Sequence, residues 1–392
     1  MSRKKMTDTR QLRSINRAAI LDLIRAEEPI SRSQISARLG LSLPTVLRIV
    51  EELIEDDLVH AAGRQGNGLG RPGELLQFNG GAHWIASVDL GCPEMNGAVA
   101  DLCGSVHLEC QRPLQPGQGE ANLENLFLLI QDLLDGLPES APGRLRGIAL
   151  GVPGANNTHD GVVIQSTYLG WEQLPICEQL FRKFHIPVYL ESDIHIFTLG
   201  EHVFGATRDV NNFVCLTLGS KILAGLMIDG QLYPGHTFQA GLLGSTFPTP
   251  QALLEPPAPE GWLDRIASGP NLLRAARERT RDMDPASLPP LVDMLSVYQA
   301  ADRGFPWARE LIDPAMDAVA QMIANLTLIL DPQVIVITGK AAGAGDFIRR
   351  EVLTRLEGRL PSLPEIRIST LGTRSFVSGA AALVYRGAFA GD

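Results

Sequence analysis

Residues 30–54 read ISRSQISARLGLSLPTVLRIVEELI, and this stretch decides the fold of the N-terminal part of the chain. Ser31 and Gln34 have the spacing of a capping box, in which side chains satisfy the free amides at a helix start. Gly40 stands where a left-handed helix cap is needed, and Ser42 is a suitable N-cap for a second helix. The stretch therefore predicts two helices joined by a tight turn.

The second predicted helix has an apolar face and a polar face. The apolar face, at helical spacing, consists of Leu43, Val46, Val50 and Leu53. The polar side of its N-terminal end consists of Ser42, Pro44, Thr45 and Arg48. This layout is typical of a helix-turn-helix, whose second helix places its first turns in the DNA major groove. An ordinary helical hairpin with a polar outer face would give the same pattern.

The segments after this helix predict a wing. Strand patterns at residues 58–62 and 74–78 flank a glycine-rich basic loop. Glycine permits the unusual backbone angles of such a loop, and arginine can approach phosphates or the minor groove. Arg64 and Arg71 are the DNA contacts expected there. The helices and the wing together indicate a winged helix that binds DNA.

The first 17 residues are strongly basic, with Asp8 as the one acidic side chain. The basic residues are Arg3, Lys4, Lys5, Arg10, Arg13 and Arg17. Basic N-terminal arms commonly follow the DNA backbone, although a solvated tail has the same composition.

Charge is distributed unevenly along the 392 residues, which carry a net charge of −10. Residues 1–80 hold 12 basic and 10 acidic side chains, so the remainder has a net charge of −12. A neutral to basic head in front of an acidic body is typical of a regulator that contacts DNA through its head alone.

Composition also excludes several classes of protein. No apolar run approaches the ~18 residues that span a bilayer, and the polar N-terminus is unlike a signal peptide. We therefore expect a cytoplasmic protein with no membrane partner. The five cysteines are scattered and odd in number, so no disulfide framework is expected and each is interpreted as a small buried residue.

Beyond residue 80, strand-like and helix-like segments alternate in two similar sets. The predicted strands are 83–90, 97–102, 106–110, 145–151, 187–191, 213–218, 224–228, 231–233 and 333–338. The predicted helices are 123–134, 176–184 and 314–330. A strand meander followed by strand–helix units, occurring twice, predicts two α/β lobes that face a cleft.

Several short motifs recur in order along this region: ASVDLG at 86–91, GIALGVPG at 147–154, LGW at 169–171, ESD at 191–193, TLG at 217–219, ASGP at 267–270, LDP at 330–332 and GAA at 379–381. Together they resemble the motifs of the ROK family, which comprises repressors and sugar kinases. Single motifs of this kind are weak signals, but their order and spacing over most of the chain are specific.

The resemblance implies an α/β fold class, with an N-terminal winged helix-turn-helix followed by a two-lobed, actin-like (ribonuclease H-like) ROK body. We expect the DNA-binding head and its basic arm at residues 1–80, and an effector-binding and oligomerisation body at 81–392. The body would divide into lobes at about 81–195 and 196–375. A final helix at about 376–390 would pack back on the first lobe.

Kinases of this family hold ATP phosphates in glycine-rich hairpins, and two of the three corresponding hairpins are altered here. In the first, Cys92 adds a side chain and Pro93 removes a backbone N–H donor. In the second, at 219–223, Lys221 and a leucine replace two glycines, whereas the third, at 339–343, is partly kept. We therefore expect no enzyme activity and no cofactor.

The resemblance also implies which residues contact a sugar. Asp193 matches the catalytic base of the kinases and is expected to survive as a binding residue, although it could serve only to cap the helix after it. Leu242 stands where the family has a sugar-binding Glu, and Asp264 where it has another. The full set of predicted effector-binding residues is Gly154, Tyr168, Ser192, Asp193, His195, Leu242, Ser245 and Asp264.

Two of these positions change what the cleft can bind. Ser245 replaces a zinc-ligand His of the family and residues 246–264 contain no cysteine, so no zinc site is expected. Leu242 makes the cleft less polar, which favours a less polar or differently substituted sugar. His195 and Tyr168 could alternatively be local packing residues.

These observations predict a DNA-binding transcriptional regulator, a repressor of carbohydrate-related genes controlled by a sugar or sugar derivative. Its expected partners are a double-stranded DNA operator, the effector, and further copies of the chain in a homodimer or homotetramer. Two alternatives stay open: a bifunctional sugar kinase and regulator, and a constitutive DNA-binding protein without an effector.

Overall fold

The computed structural model describes residues 9–65, 73–91, 93–137, 144–247, 249–254, 260–284 and 288–389. Within these ranges the chain forms a winged head, residues 9–79, and a two-lobed body that begins at residue 80. No helix in the described part of the chain combines the length and the apolar character needed to cross a bilayer.

The head is a three-helix unit with a small antiparallel sheet in the order β1-β3-β2. Its elements are α1 (Thr9–Glu27), β1 (Ile30–Ser31), α2 (Arg32–Leu39), α3 (Leu43–Glu55), β2 (Val59–Gln65) and β3 (Gly73–Phe78). The predicted caps are confirmed: Ser31 and Gln34 form a capping box, and Gly40 is left-handed with φ 65°. The side chain of Ser42 accepts a hydrogen bond from the backbone of Thr45 at the start of α3.

Two expectations for the head are wrong in detail. Leu43 is 44% exposed, because it lies at the edge of the apolar face in the first turn, and Ile49 is buried there instead. Residues 9–17 are the first half of α1 and not an extended arm. Arg13 and Arg17 form ion pairs there with carboxylates of α3. Residues 1–8 lie outside the described residues.

The first lobe contains a five-stranded sheet in the order β11-β7-β4-β5-β6. Its strands are β4 (Trp84–Asp89), β5 (Glu94–Asp101), β6 (Val106–Pro113), β7 (Leu145–Gly151) and β11 (Val188–Glu191). A smaller sheet joins β8 (Ala155–Asn157), β9 (Val162–Ser166) and β10 (Trp171–Leu174). The helices are α4 (Gly119–Asp135), α5 (Ile176–Phe184) and α6 (Asp193–Val203). Side chains of α4 and α5 pack on one face of the large sheet, and those of α6 pack on the other.

The second lobe repeats this design with a sheet in the order β14-β13-β12-β15-β16. Its strands are β12 (Phe213–Leu218), β13 (Ile222–Ile228), β14 (Gln231–Leu232), β15 (Val334–Thr338) and β16 (Glu365–Ile368). Its helices are α7 (Trp262–Ala267), α8 (Gly269–Arg279), α9 (Met294–Asp302), α10 (Pro306–Leu330) and α11 (Gly345–Leu356). The final helix, α12 (Arg374–Phe389), packs on α6 and on strands of the first lobe.

Sequence and structure differ at two further points. The helix expected from residue 314 begins at Pro306, where proline is tolerated at the first turn, and Pro314 lies inside it. Cys103 is exposed, because it lies in the β5–β6 turn, and Cys110 and Cys177 are half-buried, whereas Cys215 is buried as expected. Cys92 lies outside the described residues.

The helices α6 and α12 cross at two glycines. A Cβ atom on Gly200 would lie 2.0 Å from the carbonyl oxygen of Ser375, and one on Gly379 would lie 1.8 Å from that of Ile196. Real Cβ contacts are never this short, so the two backbones can approach only because both residues lack a side chain.

We predict that Gly379→Ala destabilises the protein by about 1–3 kcal/mol, because the added methyl forces α12 away from α6. Urea unfolding would measure the loss. Gly81→Ala is the matched control, since its Cβ would meet no atom within 4 Å. Equal stability of the two variants would refute the close crossing.

Candidate DNA-binding surface and effector cleft

The first two turns of α3 form the exposed end of the helix-turn-helix. Ser42, Pro44 and Arg48 are exposed, and Thr45 is half-buried. The hydroxyl oxygens of Ser42 and Thr45 lie 2.8 Å apart. The hydrogen bond between these side chains stabilises the start of α3. Arg48 is the one basic side chain of α3 and forms no ion pair with any described residue.

The second half of α3 is acidic and forms ion pairs with α1. Its carboxylates are Glu51, Glu52 and Glu55, and Asp56 caps its C-terminal end. Arg17 of α1 pairs with both Glu52 and Asp56, which fixes α1 against α3. Because carboxylates repel DNA phosphates, the N-terminal half of α3 is the part suited to a nucleic acid. Leu43 and Leu47 are exposed on that half.

The wing strands β2 and β3 pair antiparallel, with Arg64 opposite Glu74 and an irregularity between Ala61 and Arg64. An ion pair of 2.6 Å between Arg32 and Glu74 joins the start of α2 to β3. Arg71 lies outside the described residues.

The cleft lies where parallel strands of both lobes end. In the first lobe Asp89, Gly151 and Glu191 are in register at the carboxyl ends of β4, β7 and β11. In the second lobe β12 and β15 end side by side, with Thr217 opposite Thr338. Ligands of open α/β sheets bind outside such strand ends.

Two carboxylates of the first lobe lie close together in this cleft. Burial raises the pKa of Asp89 to about 7, and the nearby charge of Asp193 adds to the rise. A 2.9 Å hydrogen bond from the backbone amide of Gly91 and the positive charge of Lys340 act in the opposite direction. Burial also raises the pKa of Asp193, against the charges of His195 and Lys221. Asp89 and Asp193 therefore resist carrying two negative charges together.

Asp193 is the first residue of α6. One of its carboxylate oxygens accepts a 2.8 Å hydrogen bond from the amide of Ile194 and a 3.3 Å hydrogen bond from the hydroxyl of Ser192. The side chain of Asp193 thus stabilises the start of α6, which is the alternative role expected from the sequence. It also leaves the other carboxylate oxygen without a described partner.

His195 is only 3% exposed and is directed at Glu191, with 2.8 Å between Nδ1 and Oε1. The amide of Ser192 donates to the same carboxylate oxygen, also at 2.8 Å. His195 therefore orients Glu191 at the end of β11.

In the second lobe Asp264 holds a hairpin in place. It is buried, and its carboxylate accepts a 2.8 Å hydrogen bond from the amide of Ile222. Burial raises the pKa of Asp264, while the positive charge of Lys221 lowers it. Gly244 packs on this carboxylate, since a Cβ there would lie 2.1 Å from it. Leu242, close by, is exposed, as is Ser245.

The remaining predicted residues lie beside the small sheet of the first lobe. Gly154 has φ 125°, and a Cβ there would lie 2.3 Å from the carbonyl oxygen of Gln165. Tyr168 is half-buried against the core of the first lobe, and its carbonyl oxygen accepts a 2.8 Å hydrogen bond from Gly117. The close backbone approach at Gly154 and the packing of Tyr168 therefore explain both residues without a bound effector.

The residues present do not fit the zinc site of the family's kinases. Ser245 offers no imidazole, and among the described residues no group of three or more His, Cys, Asp or Glu side chains could hold a metal ion. Thiolate or imidazole ligands are what a structural zinc ion requires.

Sequence analysis missed Asp89, Glu191 and Lys340 as cleft residues. Asp89 and Glu191 end strands that pair in parallel with a neighbour, and Lys340 lies two residues beyond the end of another such strand. The signal that could have identified them is this common position at the strand ends.

We predict that Asp89→Asn stabilises the protein more at pH 8 than at pH 5. In the folded protein the pKa of Asp89 is about 7, against about 3.9 for an unfolded aspartate. Because the folded protein binds this proton more tightly than the unfolded chain does, the free energy of unfolding falls as pH rises between these two pKa values. Asparagine cannot ionise, so the variant does not lose this stability. Urea unfolding at both pH values measures it, and an equal effect at both would contradict the raised pKa.

Comparisons with known proteins agree with this architecture. A family model described as ROK family matches residues 85–386, and a model described as winged helix-turn-helix DNA-binding matches residues 13–60. The resemblance and the fold class expected from the sequence are thereby confirmed.

Three similar proteins match between 77% and 96% of the chain. The chain is 29% identical over 384 residues to the xylose repressor of Caldicellulosiruptor bescii, which spans 95% of this chain and 96% of that protein. It is 27% identical over 322 residues to a glucokinase of Halalkalibacterium halodurans, which spans 77% of this chain and 94% of that protein. The crystal structure of a ROK family transcriptional regulator, a homolog of the E. coli MLC protein, has a TM-score of 0.80 at 22% identity and 96% coverage of both chains, which shows a shared fold.

Proposed function

The chain belongs to the ROK family, and from that premise we propose that it is a DNA-binding transcriptional regulator that represses carbohydrate-related genes. The observation that carries this proposal is the winged head in front of the ROK body, since the repressor relative matches both parts and the glucokinase relative spans about the length of the body. We also propose a cytoplasmic location, since a regulator of this kind must reach its DNA.

We propose that the operator meets the N-terminal half of α3 and the wing. Arg48 is free to reach a base or a phosphate, and Leu43 and Leu47 can contact thymine methyl groups beside it. The wing would bring Arg64 and Arg71 to the backbone or the minor groove. In a homodimer or homotetramer, paired heads would read half-sites separated by whole turns of DNA.

The effector would be a sugar or sugar derivative held in the cleft. Asp193 and Asp89 present carboxylates that can accept hydroxyl hydrogen bonds, and the exposed Leu242 of the second lobe would provide apolar surface for the ligand. Closure of the lobes on the ligand would move α6, which begins at Asp193. Because α6 crosses α12 closely, this movement would reach the head and change the separation of paired heads.

We propose that the protein is not an enzyme. Pro93 has no N–H to offer a phosphate, and Lys221 places a side chain where the kinases have glycine. The family nevertheless includes a glucokinase among the relatives of this chain. ATP turnover in the presence of any sugar would therefore favour the bifunctional alternative.

We predict that Arg48→Ala weakens operator binding by about 1–3 kcal/mol if Arg48 reads a base. Fluorescence anisotropy with labelled operator DNA at fixed salt measures the loss. Arg182→Ala is the matched control, because Arg182 is an exposed arginine of α5 that pairs with Glu178. Equal operator affinity of the two variants would exclude Arg48 from the interface.

The experiment that tests the function is binding of the purified protein to its own upstream DNA, repeated with sugars, sugar phosphates and polyols. Sequence-specific binding that one compound releases or strengthens supports an effector-controlled regulator. Specific binding that no compound changes supports the constitutive alternative. Absence of specific binding contradicts the proposed function.

A further inference from the structure

The head and the body meet at His83, the residue directly before β4. Its side chain is buried, with only 1% exposed. Its Nε2 lies 2.8 Å from the carbonyl oxygen of Asp56, the residue that caps the C-terminal end of α3. Arg146 of β7 donates from its Nε to the Nδ1 of the same ring at 2.9 Å. His83 therefore joins the end of α3 to the large sheet of the first lobe.

The two hydrogen-bond partners of His83 fix the protonation state of its ring. A guanidinium group has donors and no acceptor, so Nδ1 must offer a lone pair to Arg146. The carbonyl oxygen of Asp56 can only accept, so Nε2 must carry a proton. Both bonds therefore exist together in one neutral tautomer of His83, and an imidazolium cannot form both.

The charges around the ring oppose a second proton. Burial lowers the pKa of His83, and so do the guanidinium groups of Arg146 and Arg144. The carbonyl oxygen of Asp56 and the charge of Asp57 raise this pKa, but less than the other groups lower it. The carboxylate of Asp57 also lies 3.7 Å from Arg144, so its charge already has a partner. His83 is thus uncharged at neutral pH.

The last turn of α12 and the start of α1 complete this contact. The ring centre of Phe389 lies 5.3 Å from that of His83 and 5.3 Å from the guanidinium group of Arg146. Arg17 donates to the carbonyl oxygen of Phe389 at 2.7 Å and pairs with the carboxylate of Asp56. The ion pair of Arg17 and Asp56 holds one charge of each sign, so it adds no net charge to the surroundings of the ring.

We propose that His83 is a positioning residue for operator binding: its neutral ring sets α3 on the body, and protonation breaks the bond to Arg146 and weakens binding of the operator. This inference rests on the proposed function, because α3 is the helix proposed to meet the DNA. It adds a control of operator binding that is separate from the effector cleft.

The physical reason is that a protonated ring would place two donors opposite each other. The new N–H of His83 would face the N–H of Arg146, and its positive charge would lie beside two guanidinium groups in a buried place. Like charges in such surroundings repel, so His83 and Arg146 must separate. The head would then be held less firmly on the body. Paired heads must present α3 at a fixed separation, so a loosely held head binds the operator more weakly.

The first test compares the pH dependence of operator binding in the full-length wild-type protein and in His83→Gln. The glutamine amide supplies one donor and one acceptor and cannot be protonated. Between about pH 7.5 and about pH 5.5, we expect the wild-type protein to lose at least about threefold more affinity than the variant. Fluorescence anisotropy with the labelled upstream DNA at fixed ionic strength measures the affinities.

The matched control is His159→Gln. His159 lies in the β8–β9 turn of the first lobe, and its side chain is 93% exposed. We expect this variant to keep the pH profile of the wild-type protein. Effects of pH on other groups that approach the DNA, such as His60 of the wing, are common to all these proteins and cancel in the comparison.

A third variant, His83→Phe, separates the hydrogen bonds from the packing of the ring. Phenylalanine can still pack on Phe389 but loses the bonds to Asp56 and Arg146. We expect it to bind the operator at least about threefold more weakly than His83→Gln at about pH 7.5, and to show the same pH dependence as His83→Gln. Thermal unfolding checks that every variant folds.

A second measurement does not use DNA. The folded-state pKa of His83 lies below that of an unfolded histidine, about 6.5. The unfolded chain therefore binds more protons as pH falls below this value, and the free energy of unfolding of the wild-type protein falls with it. Urea unfolding at the same two pH values should show a smaller loss of stability for His83→Gln than for the wild-type protein.

The outcomes separate this inference from the proposed function. Specific operator binding with the same pH profile in the wild-type protein and His83→Gln overturns the inference alone. An altered profile in His159→Gln as large as that in His83→Gln also overturns it. Absence of specific binding by the wild-type protein contradicts the proposed function, and the unfolding comparison then still decides whether the buried ring is neutral.

Discussion

The close crossing of α6 and α12 is the contact on which the rest of this structure depends. It requires glycine at Gly200 and Gly379, because a Cβ at either position would overlap a carbonyl oxygen of the other helix. The helix α6 begins at Asp193 in the cleft, and α12 ends beside the head. One pair of closely packed helices therefore connects the cleft end of the body with the winged head.

The head is attached to the end of α12 by a continuous buried core and by polar contacts. The guanidinium group of Arg25 on α1 lies 4.8 Å from the ring centre of Phe204 and 5.7 Å from that of Tyr385. The guanidinium of Arg17 donates to the carbonyl oxygen of Phe389 at 2.7 Å. Because Arg17 also pairs with Glu52 of α3 and with Asp56 directly after it, the last turn of α12 and the helix α3 share one partner. A displacement of α12 would therefore also displace α3.

Local signals were sufficient to predict the helix-turn-helix and most strands of the two large sheets, but not α1, the small sheet of the first lobe or the helices α6 to α9 and α11. A capping box or the left-handed Gly40 acts through neighbours within four residues, so sequence spacing contains the needed information. The exposure of Leu43 and the ion pairs of Arg17 depend instead on what packs against each helix. The cleft was predicted in part: Asp193 came from its motif, whereas Lys340 needed the knowledge that β12 and β15 are neighbours. Contacts between residues far apart in the chain cannot be derived from spacing alone.

The buried carboxylate of Glu201 joins the two lobes beside the crossing of α6 and α12. Glu201 of α6 is fully buried and accepts hydrogen bonds from the hydroxyls of Thr338, Ser369 and Ser375, and from the amide of Ala206. Leaving such a carboxylate without partners would be costly, so the lobes can move only in ways that keep these bonds. Thr338 ends β15, and Lys340 follows two residues later. Closure of the lobes on a ligand would therefore act on a strand end already bonded to α6, which in turn crosses α12 at the two glycines.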